Sequence, residues 1–166
     1  MTINEALSEV ATATKLDKKP ISALEVLNEA YDYARPSSFS RGVRLDFGNF
    51  AVLLISGTAS LGPNGETLHI GDFRAQTRRV FTNIETLLAA EGATWKDVVR
   101  TTCYLRDMDR DYAAFNEERT AFYQQQQMDP LPASTGIEVR LCRPELLLEM
   151  DAIAIFRTDS KNEPVS

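Results

Sequence analysis

Two acids, Glu149 and Asp151, interrupt the apolar run Leu146-Leu147-Leu148-Glu149-Met150-Asp151-Ala152-Ile153-Ala154 near the end of the chain. Read as a strand, Leu147, Glu149, Asp151, Ile153 and Ile155 share one face, and Leu148, Met150, Ala152, Ala154 and Phe156 the other. Two carboxylates on one apolar-flanked face lose water and repel each other, which raises proton affinity. A carboxyl group that keeps its proton near neutral pH is a general acid. The alternative is structural: either acid pairs with an arginine such as Arg140 or Arg143, or lies at a wet seam between subunits. Upstream of these acids, Ser134, Thr135 and Gly136 form a corner of hydroxyls and open backbone, and Ser56-Gly57-Thr58 is a second such group.

Other chemistries find little support. The chain has no glycine-rich dinucleotide or phosphate loop, no nucleophile elbow and no paired zinc histidines. A Ser-His-Asp arrangement would rest on His69 alone, which reads better as a surface or inter-subunit residue. Cys103 and Cys142 make no disulfide framework, and with one histidine they make no strong metal site, so neither metal nor cofactor is called for. A net charge of -6 argues against nucleic acid as partner. It also leaves the capture of any anionic substrate to local arginines. No apolar run approaches a membrane span and the start lacks a signal-peptide pattern, so no membrane partner is expected and the cytoplasm is the expected location.

The elements that must position these residues follow from periodicity. With 166 residues, 43% of them hydrophobic, the chain fits one domain that buries roughly 70% of its unfolded surface. Residues 1–35 read as an N-terminal extension, partly helical because Ile21, Leu24, Leu27 and Tyr31 recur at helical spacing before Arg35-Pro36. Residues 36–157 form the main domain and residues 158–166 a frayed tail. Alternation at Val43, Leu45 and Phe47, the turn Gly48-Asn49 and the run from residue 50 to 55 predict a hairpin. A helix follows, with Phe73, Thr77, Val80, Phe81, Ile84, Leu87 and Leu88 on one stripe, a cap at Gly71-Asp72 and a stop at Gly92. Residues 98–105 predict a strand, Tyr112, Phe115, Arg119, Phe122 and Tyr123 a second helix, and residues 137–141 and 146–156 the last two strands. The order is β-β-α-β-α-β-β, an α+β fold with a mixed sheet, and a short extra strand at Leu68-His69-Ile70 is possible. Right-handed crossovers put both helices on one face. The other face is left bare and apolar, so self-association is expected.

The motifs Ser56-Gly57, Gly71-Asp72 with Ala75-Gln76-Thr77 and Asn83, Val98-Val99-Arg100-Thr101-Thr102, Asp107-Met108, Phe115-Asn116, Pro132-Ala133, Glu138-Val139 and Glu149-Met150-Asp151-Ala152-Ile153-Ala154 resemble the Rid/YjgF family. These are the reactive-intermediate deaminases, long labelled endoribonuclease L-PSP. The resemblance runs from about residue 38 to 156. It implies a chorismate-mutase-like subunit and a homotrimer with clefts between subunits. It also implies an imine- or enamine-hydrolysing activity on a small anionic metabolite, with Ser56, Gly57, Thr58, Asn116, Ser134 and Thr135 around the ligand. One departure matters. The imine-hydrolysing members carry an arginine after Pro-Ala to grip the substrate carboxylate, and here Ser134 stands in that slot. A bidentate arginine contact supplies charge-assisted hydrogen bonds of about 1.5–3 kcal/mol each, which a hydroxyl does not replace. Phe39 likewise stands where a tyrosine is common.

A second similarity is local. Phe39-Ser40-Arg41, Ser56-Gly57-Thr58-Ala59-Ser60, His69-Ile70-Gly71-Asp72, Ala133-Ser134-Thr135-Gly136-Ile137 and Cys142-Arg143 with Glu149 resemble the active domain of the chorismatases, which are about twice as long. That resemblance implies Glu149 as the acid protonating an enol ether. It assigns Arg41 and Arg143 to carboxylates, and gives Gly136 as room for a ring. A third reading keeps the same cleft as a non-catalytic binding site for small acids.

Overall fold

The computed structural model describes residues 17–24, 27–33 and 36–158. Six strands form one sheet: β1 (Asp17–Pro20), β2 (Gly42–Asp46), β3 (Phe50–Ala59), β4 (Val98–Leu105), β5 (Ala133–Glu138) and β6 (Leu148–Arg157). Two helices, α1 (Phe73–Ala90) and α2 (Met108–Gln125), supply the crossovers. The spatial order is β1-β2-β3-β6-β4-β5, with β4 and β5 parallel and every other pair antiparallel. The last strand in sequence therefore sits in the middle of the sheet, which places its two acids far from either edge.

Each element follows from its residues. Gly48, at a φ of 80°, turns the chain between β2 and β3, and the rings of Phe47 and Phe50 stack across that turn at 5.1 Å. Asp72 caps α1 by accepting from the Ala75 amide at 2.9 Å. At the other end Gly92, φ 78°, lets the Ala93 amide return to the Leu88 carbonyl at 3.0 Å. Asp107 caps α2 in the same way through the Arg110 amide. All seven stripe residues expected on α1 are buried against Leu53, Ile55, Cys103, Leu105, Leu148, Met150, Ala152 and Ala154. At the far end of this core Phe122 stacks on Phe81 at 4.6 Å and meets Trp95 edge-on.

Two buried side chains of α1 fix the strands that carry the site. Gln76 donates to the carbonyls of Glu145 (2.9 Å) and His69 (3.2 Å) and accepts from the Leu147 amide (2.9 Å), so it holds the entry to β6. Asn83 donates to the carbonyls of Ala59 (3.0 Å) and Leu61 (3.1 Å) and holds the exit of β3. Backbone groups that would otherwise be orphaned in the interior are thereby satisfied.

The helix-free face carries Val43, Leu45, Val52, Leu54, Ile153, Ile155 and Ile137, with Leu54 41%, Ile155 44% and Ile137 40% exposed. Among the described residues no helix covers it, as the crossover rule leads one to expect.

Several local expectations are corrected. Ile21, Leu24, Leu27 and Tyr31 do not form a helix. Residues 17–20 pair with β2, Ala23 bridges Leu27, and among the described residues of this segment one 3-10 turn, Ala30–Asp32, follows. Residues 1–16 of the expected extension lie outside the described residues, as do residues 159–166 of the tail. Ile21, Leu27 and Ala30 are nonetheless buried, so this segment is part of the packed body. β1 adds a strand that no apolar alternation in Asp-Lys-Lys-Pro marks; it pairs with β2 through its backbone, with Lys19 and Asp46 3.8 Å apart as an ion pair. Lysine and proline there suit an edge strand. Leu68-His69-Ile70 is not a strand: Leu61 bridges Thr67 and His69 turns at a φ of 57° into α1. The strand expected at residues 137–141 lies earlier, at Ala133–Glu138, so Ser134, Thr135 and Gly136 stand within an edge strand and do not form a corner. Tyr112 of the second helix is exposed and faces away from the core.

Candidate functional site

β3 and β6 pair regularly until Ile55 meets Ala152, and the next pair is Thr58 with Met150. One extra residue is therefore lodged in β3 at Ser56-Gly57, a bulge beside the acids of β6. Gly57 has no side chain for a physical reason. A Cβ there would lie 2.0 Å from the Glu149 Oε1 and 3.0 Å from its Cδ. The Glu149 carboxyl thus rests directly on the Gly57 backbone. Ser56 is pinned beside it, donating its hydroxyl to the Ser40 carbonyl at 2.7 Å and its amide to the Arg41 carbonyl at 3.0 Å.

The two acids of β6 have opposite surroundings. Asp151 accepts from the Thr102 amide at 3.1 Å and the Tyr104 hydroxyl at 2.8 Å. That bond to a carboxylate, with partial burial, also pushes the Tyr104 phenol upward. Glu149 has no such donor among the described residues. Loss of water first, and the charge of Asp151 second, raise its pKa above the usual carboxylate value. Neither acid pairs with Arg140 or Arg143, the structural alternative weighed from sequence. One carboxylate is hydrogen-bonded and the other is left with the conditions for holding a proton.

Both acids line a cleft of about 540 Å³ on the helix-free face, with Phe39, Leu54, Ser56, Gly57, Arg100, Thr102 and Ile153 as the other main walls. Of the expected site residues, Glu149, Ser56 and Gly57 meet here. Thr58 is next to them in sequence but buried on the other face, its hydroxyl donating to the Ser56 carbonyl at 2.8 Å.

A second group gathers between α2 and β5. Ser134 Oγ accepts from Thr101 Oγ1 at 3.1 Å and from Arg119 Nη1 at 3.2 Å, and Arg119 also donates to Asn116 Oδ1. Gly136 lies alongside, where a Cβ would meet only ordinary contacts to Met108 and Tyr112. Thr135 points to the opposite face and accepts from Arg100 Nη2 at 3.0 Å.

The arginines singled out from sequence stand elsewhere. Arg41 is 3% exposed, donates to the Asn28 carbonyl at 2.9 and 3.1 Å and to the Tyr33 hydroxyl, and lies over the Phe39 and Tyr33 rings. Arg143 donates to the Gly65 carbonyl. Both tie segments of this chain together. The cation that does line the cleft is Arg100, which no site motif marks. Its signal was the period-two pattern of β4, which puts Arg100, Thr102 and Tyr104 on the same face as the β6 acids.

His69 is exposed at the turn before α1, away from this cleft. Cys103 is buried, which pushes its thiol up, and Cys142 is exposed; among the described residues no cluster of metal-ligating side chains occurs. No helix among the described residues is long and apolar enough to cross a membrane.

Comparison with known proteins agrees with this architecture. The chain is 33% identical over 116 residues to a RutC family protein of Pyrococcus abyssi, covering 70% of this chain and 84% of that one. It is 32% identical over 103 residues to the 3-aminoacrylate deaminase RutC of Acinetobacter baylyi, covering 62% and 78% respectively. The crystal structure of the YjgF gene product of E. coli superposes with a TM-score of 0.64 at 27% identity, covering 82% of this chain and 98% of that one. The family described as Endoribonuclease L-PSP matches residues 33–156. This chain belongs to the Rid/YjgF family.

Proposed function

We propose that this protein is a cofactor-free hydrolase of the imine and enamine type, acting on a small carboxylic acid, with Glu149 as its general acid. The observation that carries the reading is the contrast at β6: among the described residues Asp151 has two donors, whereas Glu149 has none, lies on the Gly57 backbone and has its proton affinity raised. Protonated Glu149 delivers its proton to the substrate, at the nitrogen of an imine or the β-carbon of an enamine. Either step leaves an iminium carbon. Water adds there, the carbon–nitrogen bond breaks, ammonia leaves and a carbonyl remains, and Glu149 is re-protonated from water. Ser56 and Thr102, on the walls of the cleft, are placed to orient that water. The likeness to a 3-aminoacrylate deaminase supports this class of reaction.

Three copies packed through their helix-free faces complete the clefts in this reading. The exposed Leu54, Ile155 and Ile137 support such packing, since an apolar face of this kind is rarely left in water.

A second reading has a specific observation in its favour. Ser134 is in the slot of the family's carboxylate-binding arginine, and enol ethers, like enamines, react by protonation on carbon. Chorismate-type enol-ether cleavage would use the same acid. Ammonia release is the discriminating measurement. The substrates are 3-aminoacrylate, 2-iminobutyrate made in situ from threonine, and the imine of 4-formylbenzoate. Release accelerated by the protein and lost in Glu149→Gln supports the hydrolase. Pyruvate release from chorismate in its place supports the enol-ether reading. Thermal stabilisation by carboxylates without any turnover leaves a binding protein.

A further inference from the structure

Glu149 and Arg100 line the same cleft but reach it from different strands. Glu149, on β6, leans over β3, where its Oε1 sits on Gly57. Arg100, on β4, leans the other way, donating to Thr135 Oγ1 of β5 at 3.0 Å. In the order β3-β6-β4-β5 the acid, over β3, and the guanidinium, between β4 and β5, are thus between two and three strand spacings apart. At about 4.8 Å per spacing this is roughly 10–14 Å across the sheet. Allowing about 3 Å for an arginine–carboxylate contact and a similar approach of the acid to carbon leaves on the order of 4–8 Å for the ligand.

Among the described residues Arg100 is the one cationic side chain on the cleft wall, and it has no carboxylate within ion-pair distance. Its single described partner is a neutral hydroxyl, which leaves most of its five N–H donors available. The acids nearest it in the cleft do not neutralise it: Asp151 is turned to Thr102 and Tyr104 of β4, and Glu149 to Gly57.

We propose that Arg100 holds the carboxylate of the ligand and that its distance from Glu149 selects acids whose reacting carbon is remote from that carboxylate. In a 2-imino acid the two are joined by one bond of about 1.5 Å, so one such molecule cannot bridge Arg100 and Glu149. A ring-sized acid, with the imine, enamine or enol ether across the ring from the carboxylate, spans the gap. A cleft of about 540 Å³ is large enough for a ligand of that size. This inference rests on the reading of the Glu149 cleft as the ligand site and narrows its substrate class.

Calorimetric titration of the full chain with unreactive acids tests it without any turnover, so its failure is distinct from failure of the hydrolase reading. The probes are 4-hydroxybenzoate, its uncharged methyl ester, and 2-oxobutyrate. The expected result is that 4-hydroxybenzoate binds at least tenfold tighter than either of the others. Arg100→Gln removes that advantage, Arg100→Lys keeps part of it, and 2-oxobutyrate is unaffected by either change. Arg100 is exposed, and an unchanged melting temperature confirms that the variants fold. The proposal is overturned if 2-oxobutyrate binds as well as 4-hydroxybenzoate, if neither acid binds, or if Arg100→Gln leaves 4-hydroxybenzoate affinity within twofold.

Discussion

Replacing Gly57 by alanine moves the acid without touching it. The added Cβ would lie 2.0 Å from Glu149 Oε1, so the carboxyl must retreat by roughly 1.5 Å to reach an ordinary contact of about 3.5 Å. The obstructing group is the end of a flexible side chain, and Gly57 is not among the glycines with a left-handed backbone. Folding stability should therefore change by less than about 1 kcal/mol, helped by the reduced freedom of the unfolded chain. Catalysis has no such latitude. A misplacement on the order of 1 Å costs roughly 100-fold, equivalent to about 2.7 kcal/mol in the barrier. The assay is ammonia or pyruvate release under saturating and limiting substrate, beside a thermal melt. A Gly57→Ala variant that melts normally but loses roughly 100-fold in kcat is expected by analogy with that magnitude. Turnover within threefold of the parent would refute the placement of the acid.

Three further outcomes follow from the same geometry. Because the folded pKa of Glu149 is raised above the ordinary value of 4.5, the folded state binds the extra proton and stability falls as pH rises through that window. Glu149→Gln should thus raise the melting temperature at neutral pH, with the gain vanishing below about pH 4, where the parent carboxyl is also uncharged. Gln76→Ala strands the Leu147 amide inside the protein and should lower stability by about 1–3 kcal/mol in denaturant titrations, with activity falling because the entry to β6 loosens. Ile155→Lys on the helix-free face should shift the mass seen by light scattering from an oligomer towards a single chain, and an unchanged mass would remove that face from the assembly.

Much of this arrangement was legible from residue order. The alternation at Glu149 and Asp151, the stripe on α1 and the Gly48-Asn49 turn each carry strong local signals, and the structure keeps all three. What escaped was set by pairing between distant segments. β1 has no apolar pattern and is held to β2 by pairing with a distant segment, so the spacing of Ile21 and Leu27 mimics a helix that does not form. The bulge at Ser56-Gly57 is invisible in either strand alone and exists only as a register shift between two of them. Arginine is especially hard to place from sequence, because its long side chain reaches neighbours that its own strand does not name. Arg41 and Arg143 turn to carbonyls of this chain, whereas Arg100 stays in the cleft.

The proton on Glu149 decides the account most directly. Carbon-detected NMR of protein labelled at the glutamate carboxyl, titrated with pH and assigned by the Glu149→Gln variant, reports that group alone. A carboxyl resonance that titrates above the ordinary glutamate range in the folded protein, and moves towards that range when the Asp151 charge is removed by Asp151→Asn, is the predicted result. Titration at or below the ordinary carboxylate range would contradict it, since Glu149 would then have no proton to give near neutral pH.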